Sequence, residues 1–200
     1  LMVLLELAEF GPFEDGIDFF ILSYGGAMAI VGASVGGSEQ SDLYLMDTET
    51  GRVVRLTRGD NVQYGSVAWS PDDRQIFFRS NEENGRDFFV YQMDIATGAY
   101  EKIFGLEGYN GVSDVSADGT LLILYHLNSN VSNDLYLLDL NSRESRKITQ
   151  DDGNVLYDAT YLMDDNKTIW LVCNNNDDGI PRLATMTVDS PEIKFDTGWL

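Results

Sequence analysis

The sequence has few prolines and very few residues that can crosslink the chain or bind metals. It contains four prolines, one cysteine and one histidine among 200 residues. A single cysteine excludes an internal disulfide. It favours a reducing compartment such as the cytoplasm, while a periplasmic or secreted location stays open because such proteins can also lack disulfides. A single histidine argues against a histidine-rich metal site, and we expect no cofactor.

Basic residues are also scarce. The chain has 13 lysine and arginine residues against 33 aspartate and glutamate residues, which gives a formal net charge of −20. This charge repels phosphate groups, so it disfavours nucleic acids and anionic membrane surfaces as partners. Aspartate outnumbers glutamate by 22 to 11. Such a surface suits either a protein solvated at high salt or an ordinary acidic, loop-rich protein.

Long apolar runs are absent. No segment reaches the ~18 consecutive apolar residues of a membrane-spanning helix, so we expect no membrane insertion. The first ten residues are apolar but contain Glu6 and Glu9. They lack a basic leading region and a small-residue cleavage site, so they make a poor signal peptide.

The sequence contains an internal repeat, which is the strongest indication of its fold. The segment WSPDDRQIFFRS at 69–80 has counterparts that begin 47 residues earlier (LSYGGAMAIVGA) and 46 and 92 residues later (VSADGTLLILYH and YLMDDNKTIWLV). A second element, DLYLMDTETGRVVRLT at 42–57, recurs at 88–104 and 134–149, with a degenerate copy at 182–195. Two elements with one period indicate a repeated structural unit.

Each unit predicts four short strands. Proline, aspartate and glycine mark a tight turn after the first strand, and a β-branched and aromatic run follows. Helical periodicity is absent. Four-stranded units of roughly 40–50 residues are typical of β-propeller blades, whereas a β-sandwich would not demand so regular a period. We therefore predict an all-β protein, a β-propeller built of four-stranded antiparallel blades.

The repeat also predicts the domain organisation. Residues 1–16 resemble the tail of a preceding blade, and blades follow at approximately 17–60, 61–107, 108–153 and 154–200. Propellers with this type of repeat usually close with six to eight blades. About four blades are present, so we expect part of a larger propeller, with a closed four-bladed ring as the alternative.

These repeats resemble those of two protein groups over about residues 17–196. One group is the TolB-like periplasmic proteins, and the other is the propeller domain of prolyl-oligopeptidase-family serine peptidases, including the dipeptidyl peptidase IV type. Resemblance to the peptidases implies a non-catalytic propeller that binds or gates a peptide substrate and caps a C-terminal α/β-hydrolase domain missing from this chain. Resemblance to TolB implies a scaffold that binds protein partners without enzymatic activity.

Two serines suggest a third class, an enzyme in its own right. Ser34 lies in Gly-Ala-Ser-Val-Gly, and Ser23 lies in a segment that resembles the nucleophile motif of the prolyl-oligopeptidase catalytic domain. A nucleophile elbow needs a helix after the serine, and no helix of useful length fits there. The repeat instead places Ser23 in a turn, and places Ser34 and the sole histidine, His126, at strand-to-loop edges. We predict no catalytic residue in this chain.

One loop could bind calcium. Oxygen-bearing side chains alternate at Asn174, Asn176 and Asp178, as in a calcium loop. The twelfth position would be Thr185 instead of the bidentate glutamate of that motif, so an ordinary polar hairpin is the alternative.

Four acidic residues are candidates for binding substrate. Glu82 and Glu83 resemble the acidic pair with which dipeptidyl peptidase IV-type propellers hold a substrate amino terminus. The surrounding Asn-x-x-Asn-Gly loop does not match the setting of that motif, which favours a solvated charge pair. Asp114 and Asp158 lie near innermost strands, where acids could serve a tunnel site of a lyase or glycosidase. Turn or core-edge roles are the alternative for both.

The remaining repeated positions predict packing. One recurring position holds a tyrosine in three units (Tyr44, Tyr91 and Tyr136), which favours contacts between blades over ligand stacking. Another is predicted to be a single core position (Trp69, Val115 and Tyr161).

Overall fold

The computed structural model describes residue 13, residues 16–34, residue 38, residues 40–150 and residues 153–196. Within these residues every regular element is a β-strand, and the strands form four four-stranded antiparallel sheets. The predicted all-β fold made of propeller blades is therefore confirmed. In the same ranges, no helix has the length and apolarity needed to cross a bilayer. The blade tail predicted at residues 1–16 lies outside the described residues, except for residues 13 and 16.

Each sheet is formed by four strands consecutive in sequence. The first blade comprises β1 Phe19–Leu22, β2 Met28–Ala33, β3 Asp42–Asp47 and β4 Val53–Arg55. The second comprises β5 Tyr64–Trp69, β6 Gln75–Ser80, β7 Phe89–Asp94 and β8 Tyr100–Phe104. The third comprises β9 Tyr109–Val115, β10 Leu121–Ser129, β11 Ser132–Asp139 and β12 Ser145–Lys147. The fourth comprises β13 Tyr157–Leu162, β14 Thr168–Cys173, β15 Arg182–Thr187 and β16 Ser190–Phe195.

The turn between the first two strands of a blade explains the recurring Ser-x-Asp sequence. In the second blade the Ser70 hydroxyl accepts the N–H of Gln75 and donates to Asp72, at 2.9 and 2.6 Å. Ser116 and Asp118 make the equivalent 2.7 Å bond in the third blade. These bonds satisfy donors inside the turn. The inner strands of the second and third blades begin in the same register, with Trp69 opposite Ile76 and Val115 opposite Leu122.

The hydrophobic cores lie between neighbouring blades. The first and second blades share a core that includes Ile30, Leu43, Trp69 and Phe78. The second and third share one that includes Phe77, Val90, Val115 and Leu122. The third and fourth share one that includes Ile123, Leu135, Leu162 and Ile169. Most side chains that face a neighbouring blade along these strands are therefore apolar.

The predicted core position at Tyr161 is wrong by one residue. Trp69 and Val115 are buried as expected, but Tyr161 is 56% exposed and Leu162 takes the core position at 2% exposed. Leu162 pairs with Ile169 in the same way that the other two pair with the start of their second strands. At this position the fourth copy of the repeat thus follows the third by 47 residues instead of 46. The additional residue falls within a stretch in which the copies share little sequence similarity.

The three recurring tyrosines pack against aromatic rings. Tyr44 and Tyr91 are 8% and 5% exposed, and Tyr136 is half-buried. Ring centroids lie 5.1 Å apart for Tyr44 and Phe13, and 5.6 Å apart for Tyr91 and Phe78. Tyr136 lies 5.3 Å from Phe104. This position therefore contributes to packing.

Candidate functional site

The innermost strands of the second and third blades are joined by a polar contact at a β-bulge. Ser66 lies at the bulge in β5 with φ of 47°, in the left-handed region that most side chains avoid. Its hydroxyl donates to the carbonyl oxygen of Val112 and accepts the Val112 N–H, both at 3.0 Å. One side chain therefore satisfies both backbone groups of its neighbour.

A half-buried arginine next to this contact was missed by the sequence reasoning. Arg79 on β6 donates from Nη1 to the Tyr125 hydroxyl on β10, at 2.9 Å. Its guanidinium carbon lies 4.4 Å from the ring centroid of Tyr109 and 5.5 Å from that of Phe88. Among the described residues it forms no salt bridge. The aromatic faces and the phenol therefore stabilise its charge.

A glycine on an inner strand makes room for the Tyr125 side chain. A Cβ on Gly111 would lie 2.4 Å from the Tyr125 ring, whereas one on Gly65 would lie 3.5 Å from the Arg79 guanidinium, an ordinary contact distance. Both glycines pair with the residue that covers them. In the fourth blade Asp158 holds the equivalent position and pairs with Val172. An acidic side chain therefore lies in the fourth blade where the second and third blades have glycine.

The structure places Asp114 and Asp158 on inner strands, as expected, but in different environments. The Asp114 carboxylate accepts the N–H of Leu162 from the next blade, at 2.6 Å. Burial raises the pKa of Asp114, and bonds from backbone N–H groups oppose that shift. Asp158 is exposed and accepts the N–H of Ala159 at 2.8 Å. Asp114 therefore joins two blades, whereas Asp158 remains accessible.

Glu82 and Glu83 are both engaged within the second blade. Glu82 accepts hydrogen bonds from the hydroxyls of Tyr64 and Tyr100, at 3.3 and 2.9 Å. Burial and then the bond to Glu82 raise the pKa of Tyr100 to about 12. Glu83 forms a salt bridge with Lys102 at 2.7 Å. A substrate amine at this pair would have to compete with these contacts.

Two of the three side chains in the loop proposed for calcium use their oxygens within the chain. Asn174 accepts the N–H of Leu156 at 2.8 Å, and Asp178 binds both terminal nitrogens of Arg182, at 2.9 and 2.6 Å. The side-chain nitrogen of Asn176 donates to the backbone at 2.8 Å, whereas its Oδ1 is buried without a hydrogen-bond partner among the described residues. In the described part of the chain, no three histidine, cysteine, aspartate or glutamate side chains are grouped to hold a metal. Calcium binding at this loop stays a prediction.

The two serines lie in separate settings. Ser23 is 4% exposed in the turn after β1, where its hydroxyl accepts the Met28 N–H at 3.4 Å. Ser34 follows β2 and donates to Asp18 at 3.3 Å. Neither of them is hydrogen-bonded to His126. The contacts of both serines are those of a turn and a strand end.

His126 does not lie at a loop edge, as the sequence suggested, but within β10, because that strand continues to Ser129. Its Nδ1 lies 3.0 Å from Oδ1 of Asn110. The Asn110 amide nitrogen donates to two backbone carbonyls, so its oxygen must accept, and Nδ1 of His126 carries the proton. Burial lowers the pKa of His126. Its role is to pair neighbouring strands.

The first and third blades repeat one charged contact that joins the third strand of the blade to the fourth strand and to a threonine that follows it. Thr149 accepts the N–H of Leu135 and donates to Asp134, at 3.1 and 3.0 Å, and Lys147 bonds Asp134 at 2.9 Å. Asp42, Arg55 and Thr57 repeat this arrangement in the first blade. In the second blade Phe89 replaces the aspartate, and the Lys102 ammonium lies 4.6 Å from its ring centroid.

This architecture defines a class, a segment of a β-propeller made of four-stranded antiparallel blades. Residues 19–199 match the family model described as the N-terminal β-propeller domain of prolyl oligopeptidase. The chain therefore belongs to that family of propeller domains.

Individual relatives extend the resemblance to TolB. Over 82 residues, 41% of this chain, it is 38% identical to the Tol-Pal system protein TolB of Alcanivorax borkumensis, covering 18% of that protein. The fold is similar to that of TolB from Acinetobacter baumannii, with a TM-score of 0.67 and 20% identity over 90% of this chain and 43% of that one.

Two further solved structures share the fold. A putative TolB from Agrobacterium tumefaciens has a TM-score of 0.67 at 19% identity, covering 88% of this chain and 63% of that one. An oligogalacturonate lyase in complex with manganese has a TM-score of 0.65 at 19% identity, covering 88% and 50%. This chain thus spans less than two thirds of each relative.

Proposed function

We propose that this chain is the non-catalytic propeller portion of a prolyl-oligopeptidase-like serine peptidase. In this role it caps an α/β-hydrolase domain and restricts which peptides reach it. The family match over 19–199 is the observation that carries the proposal. The placement of Ser23, Ser34 and His126 in a turn, a strand end and a strand agrees with a nucleophile supplied by another domain.

The structure suggests how such a portion would act. Interblade cores and junction bonds make each blade a stiff unit, so a substrate filter built from blades would exclude folded proteins by size. The accessible groups on the inner strands, among them Asp158 and the Tyr125 hydroxyl, are polar and suit extended peptides, whose backbone groups need partners.

The test starts from the natural gene product. We expect its open reading frame to continue into a hydrolase domain with a Gly-x-Ser-x-Gly elbow and later acid and histidine residues. The intact enzyme should react with a fluorophosphonate probe, and the isolated 200 residues should not. Removing the propeller should increase cleavage of a folded protein relative to a short peptide. An open reading frame without a hydrolase domain contradicts the proposal.

A TolB-like scaffold is the second candidate, favoured by the 38% identity to the Tol-Pal system protein TolB. In this role the propeller faces bind a protein partner and no reaction occurs. An upstream signal peptide, the absence of a hydrolase domain and stoichiometric co-purification with one protein partner would support it over the peptidase.

A further inference from the structure

A cavity of about 430 Å3 lies at the junction of the third and fourth blades. Val112, Leu127 and Leu156 supply apolar walls, and Tyr125 and Asp158 supply polar groups. Cavities of this size accommodate small molecules, and a few convergent polar groups usually fix their orientation.

The cavity occurs where a junction contact is missing. Ser66 and Val112 hold equivalent positions at the bulges of β5 and β9, and Ala159 holds that position in β13. Between the second and third blades the Ser66 hydroxyl bridges to the next backbone. The Val112 side chain has no polar atom to form this bridge with the fourth blade, and the gap at that point forms part of the cavity.

Thr160 contributes its side chain to the cavity wall, but its hydroxyl does not face the open space. The residue is 9% exposed, and its Oγ1 is buried without a hydrogen-bond partner among the described residues. A ligand in the cavity therefore cannot hydrogen-bond to this oxygen unless the wall moves.

The Tyr125 hydroxyl can donate a hydrogen bond to a further acceptor. Arg79 can only donate, so the Tyr125 oxygen accepts the 2.9 Å bond between them. The phenolic hydrogen is therefore left to donate elsewhere, and no other contact of this hydroxyl is found in the described chain. The charge of Arg79 beside it favours an anionic acceptor.

Asp158 gives the fourth-blade side of the cavity the opposite charge. One carboxylate oxygen accepts the Ala159 N–H, and the second has no partner among the described residues. This exposed carboxylate favours an ammonium group, while the net charge of −20 opposes the approach of simple anions.

We propose that this cavity binds a small zwitterion. The ligand carboxylate accepts a hydrogen bond from the hydroxyl of Tyr125, and its ammonium group pairs with Asp158. Arg79 is a positioning residue that orients the Tyr125 hydroxyl. The proposal is independent of any hydrolase domain and goes beyond the proposed function.

Calorimetric titration of the full chain tests it with glycine, γ-aminobutyrate and ε-aminocaproate, which place their charges at increasing distances. Hexanoate and hexylamine are the single-charge controls. We expect one zwitterion to bind with 1:1 stoichiometry, at least about tenfold more tightly than either control, since the second charged contact is lost. Tyr125→Phe and Asp158→Asn should each weaken that affinity about tenfold.

The matched control is Asp164→Asn, which changes an exposed residue that does not line the cavity and should leave the affinity unchanged. Circular dichroism and thermal unfolding establish that each variant is folded. Should Tyr125→Phe fail to fold, the exposed Asp158→Asn and the single-charge controls still decide the outcome. Absence of binding by all three zwitterions overturns the proposal, as does equal binding of hexylamine or an affinity unchanged in the folded cavity variants.

Discussion

The indole nitrogen of Trp69 donates a hydrogen bond to the carbonyl oxygen of Ile21, 3.1 Å away in the preceding blade. Trp69 is 2% exposed and belongs to the core shared by the two blades. One residue therefore contributes both packing and a directional bond to a junction.

Trp69→Phe should lower the free energy of unfolding by about 2 kcal/mol, because it removes the bond to Ile21 and leaves a void in the core. Urea denaturation followed by circular dichroism measures the change. Trp170→Phe is the matched control, because Trp170 is only half-buried in the fourth blade, and its cost should be smaller. Equal costs for the two variants would contradict the assignment.

Thr57→Val and Thr149→Val should each destabilise the fold by about 1–3 kcal/mol. Each substitution keeps the side-chain volume but removes the acceptor of a buried backbone N–H, that of Leu43 or Leu135. Thr50→Val, at an exposed turn, should cost no more than about 0.5 kcal/mol. Denaturant midpoints of the three variants provide the comparison. A cost at Thr149 no larger than that at Thr50 would show that the bond is dispensable.

Asp87 should contribute to acid unfolding. The bond from Arg86 is the main cause that lowers its pKa to about 2, below the ordinary aspartate value of ~3.9. A carboxyl whose pKa is lowered in the folded state stabilises the protein at pH values above its unfolded-state pKa. This stabilisation is lost as the pH falls through the folded-state pKa of about 2.

The variant Asp87→Asn isolates this contribution. Its free energy of unfolding should be below that of the original protein at pH ~7, and the difference should narrow between pH ~4 and ~2 as Asp87 becomes protonated. Urea denaturation over this range measures it. A difference that stays constant would mean that the carboxylate charge does not matter.

The His126 imidazole should titrate below its ordinary pKa of 6.5, because burial disfavours the charged ring. Since the chain has a single histidine, its ring protons can be followed without ambiguity by nuclear magnetic resonance. Neutral His126 stabilises the fold above pH ~6.5, and that contribution is lost as the pH falls through the lower folded-state pKa. A midpoint above 6.5 would indicate that the neighbouring Asp134 outweighs burial.

The sequence was sufficient to predict the blades because their signals are local. The Ser-x-Asp turn and alternating strands recur with one period, and each can be recognised within about ten residues. The register of β13 could not be predicted in the same way. Ala159 has φ of 46° at a bulge, and a bulge changes the strand register without a distinctive residue type.

The junction contacts were missed for a different reason. Ser66 contacts Val112 and Arg79 contacts Tyr125, in both cases 46 residues apart. Residues one period apart hold corresponding positions on adjacent blades, so comparing repeats for complementary side chains, as well as for similar ones, could have found the pair of Arg79 and Tyr125. Ser66 bonds the backbone of Val112, which no side-chain type marks. The cavity beside Thr160 depends on a gap between two blades, which no sequence pattern encodes.

The junctions of this propeller are individually specialised. Asp73 accepts backbone N–H groups from Tyr24 and Gly25 in the preceding blade, at 2.7 and 2.8 Å, whereas Asn166 donates to Asp118 at 2.6 Å at the same end of the third and fourth blades. A chain that grows by duplication starts with interchangeable blades. Once such bonds have diverged, a blade copied to another place meets a neighbour that it cannot bond. The order of the blades is therefore inherited as a fixed sequence of fitted neighbours.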